Sequence, residues 1–347
     1  MVIYVKILSY IVKRDTESSD YRYRPQTIEQ SPQTISHRLH PIVQSPQSIM
    51  LSFEEINSKS IPIAYVGDVE KSSPLHNKVV FLTKPEDVKT REEKRKLEEC
   101  HQLITGRHET FPETNTLYDF YSEQETKHNL FCKRVAILEG KFYPLPVSQS
   151  KTSLTSRVFL SGKPGVGKSY WTGKFLELYQ SVYPKNRIYL VSLKDKDESL
   201  DGIDGLTRIA PEDFAEIDYN DSLGLFRNSL LIFDDVNSAP KELKKKIITL
   251  RNHIIEVGRS YGISVVCTAH TFYGSTDTTC CINNSNIFVV FPANNKTQNL
   301  RFLKEKLQLN KQVAQNIINF KSRSVSIITY TSPITVITDK FIQVLDE

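Results

Sequence analysis

Residues Gly162, Lys163, Pro164, Gly165, Val166, Gly167, Lys168 and Ser169 spell the pattern G-x-x-x-x-G-K-[ST], the spacing of a loop that wraps a polyphosphate. The chemistry follows from the residue types. Glycines let successive backbone N–H groups curl around phosphate oxygens, Lys168 brings a point charge to the β- and γ-phosphates, and Ser169 offers its hydroxyl to Mg²⁺. Tyr170, next along the chain, joins them in the nucleotide-binding set. The chain holds only 13 glycines in 347 residues and spends three of them in this octet, which a chance turn beside a surface lysine does not explain. ATP and Mg²⁺ are the expected ligands.

A second group follows the apolar run Ser229-Leu230-Leu231-Ile232-Phe233, which closes on Asp234 and Asp235. Two carboxylates at a strand tip suit a metal and water-positioning site: Asp234 would hold Mg²⁺ through its water shell and Asp235 would polarise the attacking water. The competing reading is a helix N-cap, because Asn237, Ser238 and Pro240 come next. The helix that starts at Pro240 carries Leu243, Ile247, Leu250, Ile254 and Val257 along one face and stops at Gly258-Arg259-Ser260-Tyr261-Gly262. Arg259 then either answers the helix dipole or reaches the γ-phosphate of a neighbouring subunit as an arginine finger. His270 stands at the tip of the run Ile263–Thr268, where a polar side chain can sense the γ-phosphate; a structural histidine is the alternative. Cys100, His101, His128 and Cys132 have the residue types of a zinc site, but their spacing fits no familiar module and they read as scattered structural residues.

These residues need strands that deliver them to one edge. Strand-like apolar runs lie at 157–161, 187–193, 229–233, 263–268 and 286–291, with helical patterns between most of them. Trp171, Phe175, Leu176, Leu178, Tyr179 and Val182 recur at helical spacing directly after the phosphate loop. The expected fold is α/β, a P-loop NTPase with a mainly parallel sheet covered by helices on both faces, spanning 150–347. In such a sheet the ligand sits at the carboxyl ends of the strands.

Ahead of it, residues 61–149 read as a small accessory α+β region, with apolar runs at 79–82 and 135–138 and a charged, helix-like segment from Lys89 to Cys100. Residues 1–60 read mostly as a disordered arm. Within it Arg24-Pro25-Gln26-Thr27-Ile28, Ser31-Pro32-Gln33-Thr34-Ile35 and Ser45-Pro46-Gln47-Ser48-Ile49 form a degenerate repeat too polar to build a core.

At 39% hydrophobic residues the chain can bury one large or two modest cores. The apolar opening from Met1 to Lys13 is too short to span a bilayer and lacks a small-residue cleavage signal, so no membrane insertion is expected. Five cysteines without a C-x-x-C pair argue against a disulfide framework and for a reducing compartment. A net charge of +5 is compatible with nucleic acid without establishing it. Lys241, Lys244, Lys245 and Lys246, and the loop Lys194-Asp195-Lys196-Asp197, are candidate DNA contacts weighed against ordinary solvated surface.

Taken in order, G-K-P-G-V-G-K-S, an inserted strand, L-L-I-F-D-D, a helix ending in G-R-S-Y-G-I-S and a strand ending in T-A-H resemble the FtsK/HerA class of ring-forming ATPases. They are most similar to the genome-packaging ATPases of large double-stranded DNA viruses and virophages. The resemblance covers about residues 150–330, including Asn299-Leu300-Arg301-Phe302-Leu303 and Ser322-Arg323-Ser324-Val325. It implies that Lys168 and Ser169 bind nucleotide and Mg²⁺, that Asp234 is the Walker B acid, that Asp235 replaces the usual catalytic Glu, and that Arg259 acts in trans. His270 stands where relatives commonly carry Gln. The implied activity is ATP hydrolysis coupled to translocation of double-stranded DNA by a homo-oligomeric ring, with a capsid or portal-type protein as partner, in the host cytoplasm at the virion assembly site or on the virion. Secretion or conjugation pumps of the same class stay open, as does an ATP-dependent switch that binds a protein partner without moving DNA.

Overall fold

A computed structural model describes residues 50–84, 87–93, 95, 134–273 and 278–345. The N-terminal repeat, the cysteines and histidines weighed for zinc, and half of the charged segment from Lys89 to Cys100 lie outside them; residues 91–93 of that segment are helical. The first strands are β1 (Met50–Ser52), β2 (Ile61–Gly67), β3 (Val79–Thr83), β4 (Arg134–Ala136) and β5 (Lys141–Pro144), followed by a short helix α1 (Gln149–Thr152). Strand β6 (Arg157–Ser161) leads through the phosphate loop into helix α2 (Lys168–Val182), and β7 (Arg187–Ser192) and β8 (Leu206–Ile209) follow. After the short helices α3 (Pro211–Ala215) and α4 (Ser222–Leu225) come β9 (Ser229–Asp234), α5 (Lys241–Val257) and β10 (Ser264–Ala269). The chain closes with α6 (Thr279–Asn284), β11 (Ile287–Val290), α7 (Lys296–Glu305), α8 (Lys311–Asn319), β12 (Val325–Ile328), β13 (Thr335–Ile337) and β14 (Phe341–Val344).

Ten strands form one sheet in the order β4-β14-β13-β12-β11-β6-β10-β9-β7-β8. From β11 to β8 every pairing is parallel, and from β11 to β4 every pairing is antiparallel. All five expected strands are present, β4 overlaps the apolar run at 135–138, and β8 and β12 to β14 are additions to the strands expected from the sequence. Two strands, β7 and β8, rather than the one expected, are inserted in sequence between the two nucleotide motifs; both lie outside β9, so the element between the phosphate-loop strand and the Asp234 strand is β10.

Side chains alternate strictly across the parallel half. Val158, Leu160, Leu190, Leu230, Ile232, Val266, Ile287 and Val289 belong to one core, whereas Phe159, Val191, Leu231, Phe233, Val265, Cys267, Phe288 and Val290 belong to the other. That is the two-residue period of a strand buried on both faces. The second core is filled by Ile247, Leu250 and Ile254 of α5 and by residues of α7 and α8. The first is filled by α2 together with a four-stranded antiparallel sheet, β1-β3-β2-β5, so helices share that face with a second sheet.

The boundaries expected at 60 and 149 fall inside continuous structure. Strand β1 pairs with β3 although it lies in the stretch read as the arm, and β4 leaves the accessory region to become the edge of the large sheet. The cause is burial: Leu51, Ile63, Val66, Val80 and Val135 share a core with Val158 and Leu160. Val257, expected on the buried face of α5, is 42% exposed because the helix gives way at Gly258 to a 3₁₀ turn over Gly258–Tyr261.

Trp171, the single tryptophan, stacks on Phe175 at 5.2 Å and donates from Nε1 to Ser326 Oγ at 3.2 Å, tying α2 to β12. Ser326 is buried, so Trp171→Phe leaves its hydroxyl without that donor. The variant is expected to lose about 1–3 kcal/mol of stability, read as a lower urea midpoint by far-ultraviolet circular dichroism. A midpoint equal to that of the parent chain would show that this bond adds nothing.

Candidate functional site

Six parallel strands bring their carboxyl ends to one edge, and the sequence-predicted residues gather there with the exception of Arg259. Ser161 of β6 runs into the phosphate loop, where the Gly162 N–H donates to Ala269 O at 3.1 Å. A Cβ on Gly162 would come within 2.7 Å of Val166 and 2.9 Å of Phe291, so only glycine fits between these neighbours. Gly165 and Gly167 have φ of +79° and +107°, the left-handed region that favours glycine. Gly167 is the N-cap of α2, and Lys168, Ser169 and Tyr170 form its first turn. Free N–H groups and the positive dipole end of a 15-residue helix thus face the loop.

Register explains the carboxylate. Ser192 pairs with Asp234 across β7 and β9, and Cys267 pairs with Phe233, which sets Thr268 of β10 beside Asp234. These positions share the alternation of Leu190, Ile232 and Val266, so Ser192, Asp234 and Thr268 all point to the face that carries α2. Asp234 is 2% exposed. Its Oδ1 accepts from Thr268 Oγ1 at 2.7 Å, and its Oδ2 accepts from Lys194 Nζ at 3.2 Å and from Ser192 Oγ at 3.5 Å. The Thr268 hydroxyl in turn accepts from the Asp235 backbone N–H at 3.1 Å, so one side chain fixes both acids.

Asp235 adopts φ of +50°, and its side chain makes no capping bond to the 3₁₀ turn Val236–Ser238 that follows. The N-cap alternative is therefore not realised. Its Oδ2 lies 3.7 Å from His270 Nε2, while His270 Nδ1 lies 3.3 Å from Lys168 Nζ. His270 thus bridges the two motifs at the tip of the intervening strand, with about half of its side chain exposed. Lys168 donates to Gly162 O at 2.8 Å. Burial lowers its pKa, against the pull of Asp235 and Asp234.

Lys194, weighed above as a DNA contact, stands beside these carboxylates. Burial works against its charge, but Asp234, Asp235 and Asp197 together hold its pKa above the usual lysine value. Asp197 of the same loop accepts from Ser169 Oγ at 2.8 Å. Of the other lysines proposed for DNA, Lys246 pairs with Glu216 at 2.6 Å, and Lys241 and Lys245 are exposed on the first turns of α5. Arg323 was part of a recognised pattern without a role. Its Nε donates to Val166 O at 3.3 Å and its guanidinium lies 5.1 Å from the centre of the Tyr170 ring, opening a cleft with Tyr143 and Asp339 beside the phosphate loop. Thr268, Ser192, Asp197 and Arg323 were missed because only register and long-range packing give them their places.

The donors suit a hard divalent cation. Ser169 and Asp234 offer oxygen only, and the ammonium of Lys194 already stands against Asp234 as a stand-in positive charge. Ser169 and Asp234 are the residues that would hold Mg²⁺, which supplies charge neutralisation between phosphate oxygens when bound.

Arg259 is not brought to this site. It is exposed in the 3₁₀ turn before β10, its neighbour Gly258 packs on Ile263, and it exerts a charge effect on Arg157 at the start of β6. About 15 Å of strand separates that end of β6 from the phosphate loop.

Because Thr268 touches both acids, Thr268→Val keeps the volume and removes the hydroxyl. Turnover is expected to fall about 10–100-fold while nucleotide affinity stays near that of the parent, as for groups that orient a metal or water ligand. Steady-state hydrolysis beside a fluorescent-nucleotide titration checks this, and undiminished turnover would remove Thr268 from its positioning role.

No protein-family model matches the chain. The uncharacterized protein V3 of Sputnik virophage is 26% identical over 196 residues, which make up 56% of this chain and 77% of that protein. Among solved structures, the genome packaging NTPase B204 of Sulfolobus turreted icosahedral virus 2 in complex with sulfate is 12% identical, with a TM-score of 0.40 over 53% of this chain and 96% of that one. EccC of Thermomonospora curvata (ATPases 2 and 3), in complex with a signal sequence peptide, is 11% identical, with a TM-score of 0.40 over 60% of this chain and 41% of that one. At these values the assignment rests on local geometry, and a phosphate loop and an Asp234 strand set one strand apart, with His270 on the strand between, make the chain an ATPase of the P-loop class that resembles the FtsK/HerA-type viral packaging ATPases.

Proposed function

We propose that this ATPase works as a homo-oligomeric ring on double-stranded DNA and threads a viral genome into a preformed capsid. The observation that carries the ring is the position of Arg259. An exposed arginine at the amino edge of the sheet cannot reach the phosphates of its own chain, but in a head-to-tail ring that edge can face the nucleotide of the next subunit. There a rigid guanidinium would stabilise the charge of the transferring phosphoryl group.

Within one subunit the geometry supports one division of labour. The N–H groups of the loop and Lys168 would cradle the β- and γ-phosphates, and Ser169 and Asp234 would hold Mg²⁺. Asp235, next to His270, orients the attacking water and accepts its proton. Tyr170 and Arg323 flank the cleft where the nucleoside would extend from the loop. The motif resemblance and the net charge of +5 support DNA as the cargo. The host cytoplasm, at the site of virion assembly, is the setting in which such a pump would meet capsid and portal partners. Among the described residues no helix is long and apolar enough to cross a membrane.

A second reading, an ATP-dependent switch acting on a protein partner, draws on Asp235, a carboxylate one methylene shorter than the usual Glu. Two measurements separate the readings. If Arg259 serves a neighbour's site, adding Arg259→Ala protein to the parent should depress ATPase activity more than dilution does; a strictly linear response would return Arg259 to an ordinary helix-end role.

Duplex DNA of any sequence should stimulate hydrolysis, and the stimulation should fade steeply with salt because phosphate contacts release counterions. A salt series with duplex, single strands and a neutral polymer tests this. Absence of stimulation at low salt in an assembled ring would favour the switch.

A further inference from the structure

Neither a phosphate loop nor a carboxylate-tipped strand requires a lysine where Lys194 stands. Its Nζ lies 3.2 Å from Asp234 Oδ2, 3.7 Å from Asp197 Oδ2 and 4.0 Å from Asp235 Oδ2. Asp197 Oδ2 is itself the acceptor of the Ser169 hydroxyl at 2.8 Å. One ammonium therefore stands among the oxygen atoms that would hold a divalent cation, and Ser169 is turned toward Asp197.

The backbone that carries Lys194 is held from below. Arg208 of β8 donates to Lys194 O at 2.7 Å and pairs with Asp201, whose other oxygen accepts from the Asp197 N–H at 2.7 Å. The side chain itself is 47% exposed, so its four-carbon stem can swing into solvent without disturbing that clamp. Lys168, the other nearby ammonium, is engaged with Gly162 O and His270 and has no bond to Asp234.

We propose that Lys194 is a built-in competitor for the divalent cation, holding Asp234 in the nucleotide-free chain and yielding only to a metal that arrives with its nucleotide. The inference rests on the reading that Ser169 and Asp234 hold that cation. A divalent ion at Asp234 and an ammonium about 3 Å from the same oxygen repel strongly, so the two states exclude each other. Free metal must displace Lys194 unaided, whereas a nucleotide-bound metal brings the phosphate contacts of the loop with it. The site is thereby biased against futile occupation by free Mg²⁺, and departure of Lys194 reports loading to the loop between β7 and β8.

Mn²⁺ serves as the probe, with free Mn²⁺ read by electron paramagnetic resonance on the full chain, with and without a non-hydrolysable ATP analogue. Without nucleotide, Lys194→Met is expected to bind Mn²⁺ about 10–100-fold more tightly than the parent, the worth of one charge-assisted contact. Lys194→Arg, which keeps the charge, and Lys196→Met, which removes an exposed lysine of the same loop, are expected to match the parent. Equal affinity of Lys194→Met and the parent, in a protein that does bind Mn²⁺ with the analogue, overturns the competitor role alone. If no variant binds Mn²⁺ even with the analogue, the metal–nucleotide reading of the site falls first and the competitor with it.

Discussion

A carboxylate buried at the tip of a central strand is the constraint on which this structure turns. Asp234 is almost wholly withdrawn from water, and an ionised group in that position is costly unless hydrogen bonds and a counter-charge meet it. Thr268, Ser192 and Lys194 supply them from two flanking strands and the loop beyond. Each donor depends on the parallel register of β7, β9 and β10, since a slip of one residue would turn every one of these side chains to the opposite face. The solvation of Asp234 and the sheet register are therefore the same constraint seen at two scales.

Because all the parallel strands point the same way, the two edges of the sheet acquire different work. The carboxyl edge collects the phosphate loop, both acids and His270. The amino edge collects Arg157 and Arg259, and there two cations near each other lower the Arg157 pKa, after the larger effect of burial.

The antiparallel sheet that covers α2 has a structural role that composition did not reveal. It shares one core with the phosphate-loop strand and helix, and Trp171 links that helix to β12. Arg323, on the turn before β12, lies against the loop so closely that a Cβ on Gly167 would come within 2.7 Å of its guanidinium. The C-terminal strands thus back the nucleotide site directly, and Leu51, Ile63, Val80 and Val135, among the described residues before 150, share a core with the phosphate-loop strand.

The primary sequence by itself determined the elements whose signals are local. The glycine spacing of 162–167 compels a phosphate loop, Lys168 and Ser169 follow at fixed offsets, and a four-residue apolar run closing on Asp234 and Asp235 can only be a buried strand with acids at its tip. Tertiary structure decided what depends on neighbours distant in the chain. Nothing near Lys194 in sequence distinguishes a surface lysine from one that neutralises a buried acid 40 residues away. Thr268 looks like any β-branched strand residue until register sets it beside Asp234, and Arg323 gains a role only when β12 packs against a loop 157 residues earlier. Strands β8 and β12 to β14 carry no legible signal because short or partly exposed strands have weak periodicity and are made stable by pairing. Local chemistry is written in spacing, whereas charge compensation and register belong to the folded sheet, because only there do residues from separate strands share one low-dielectric environment.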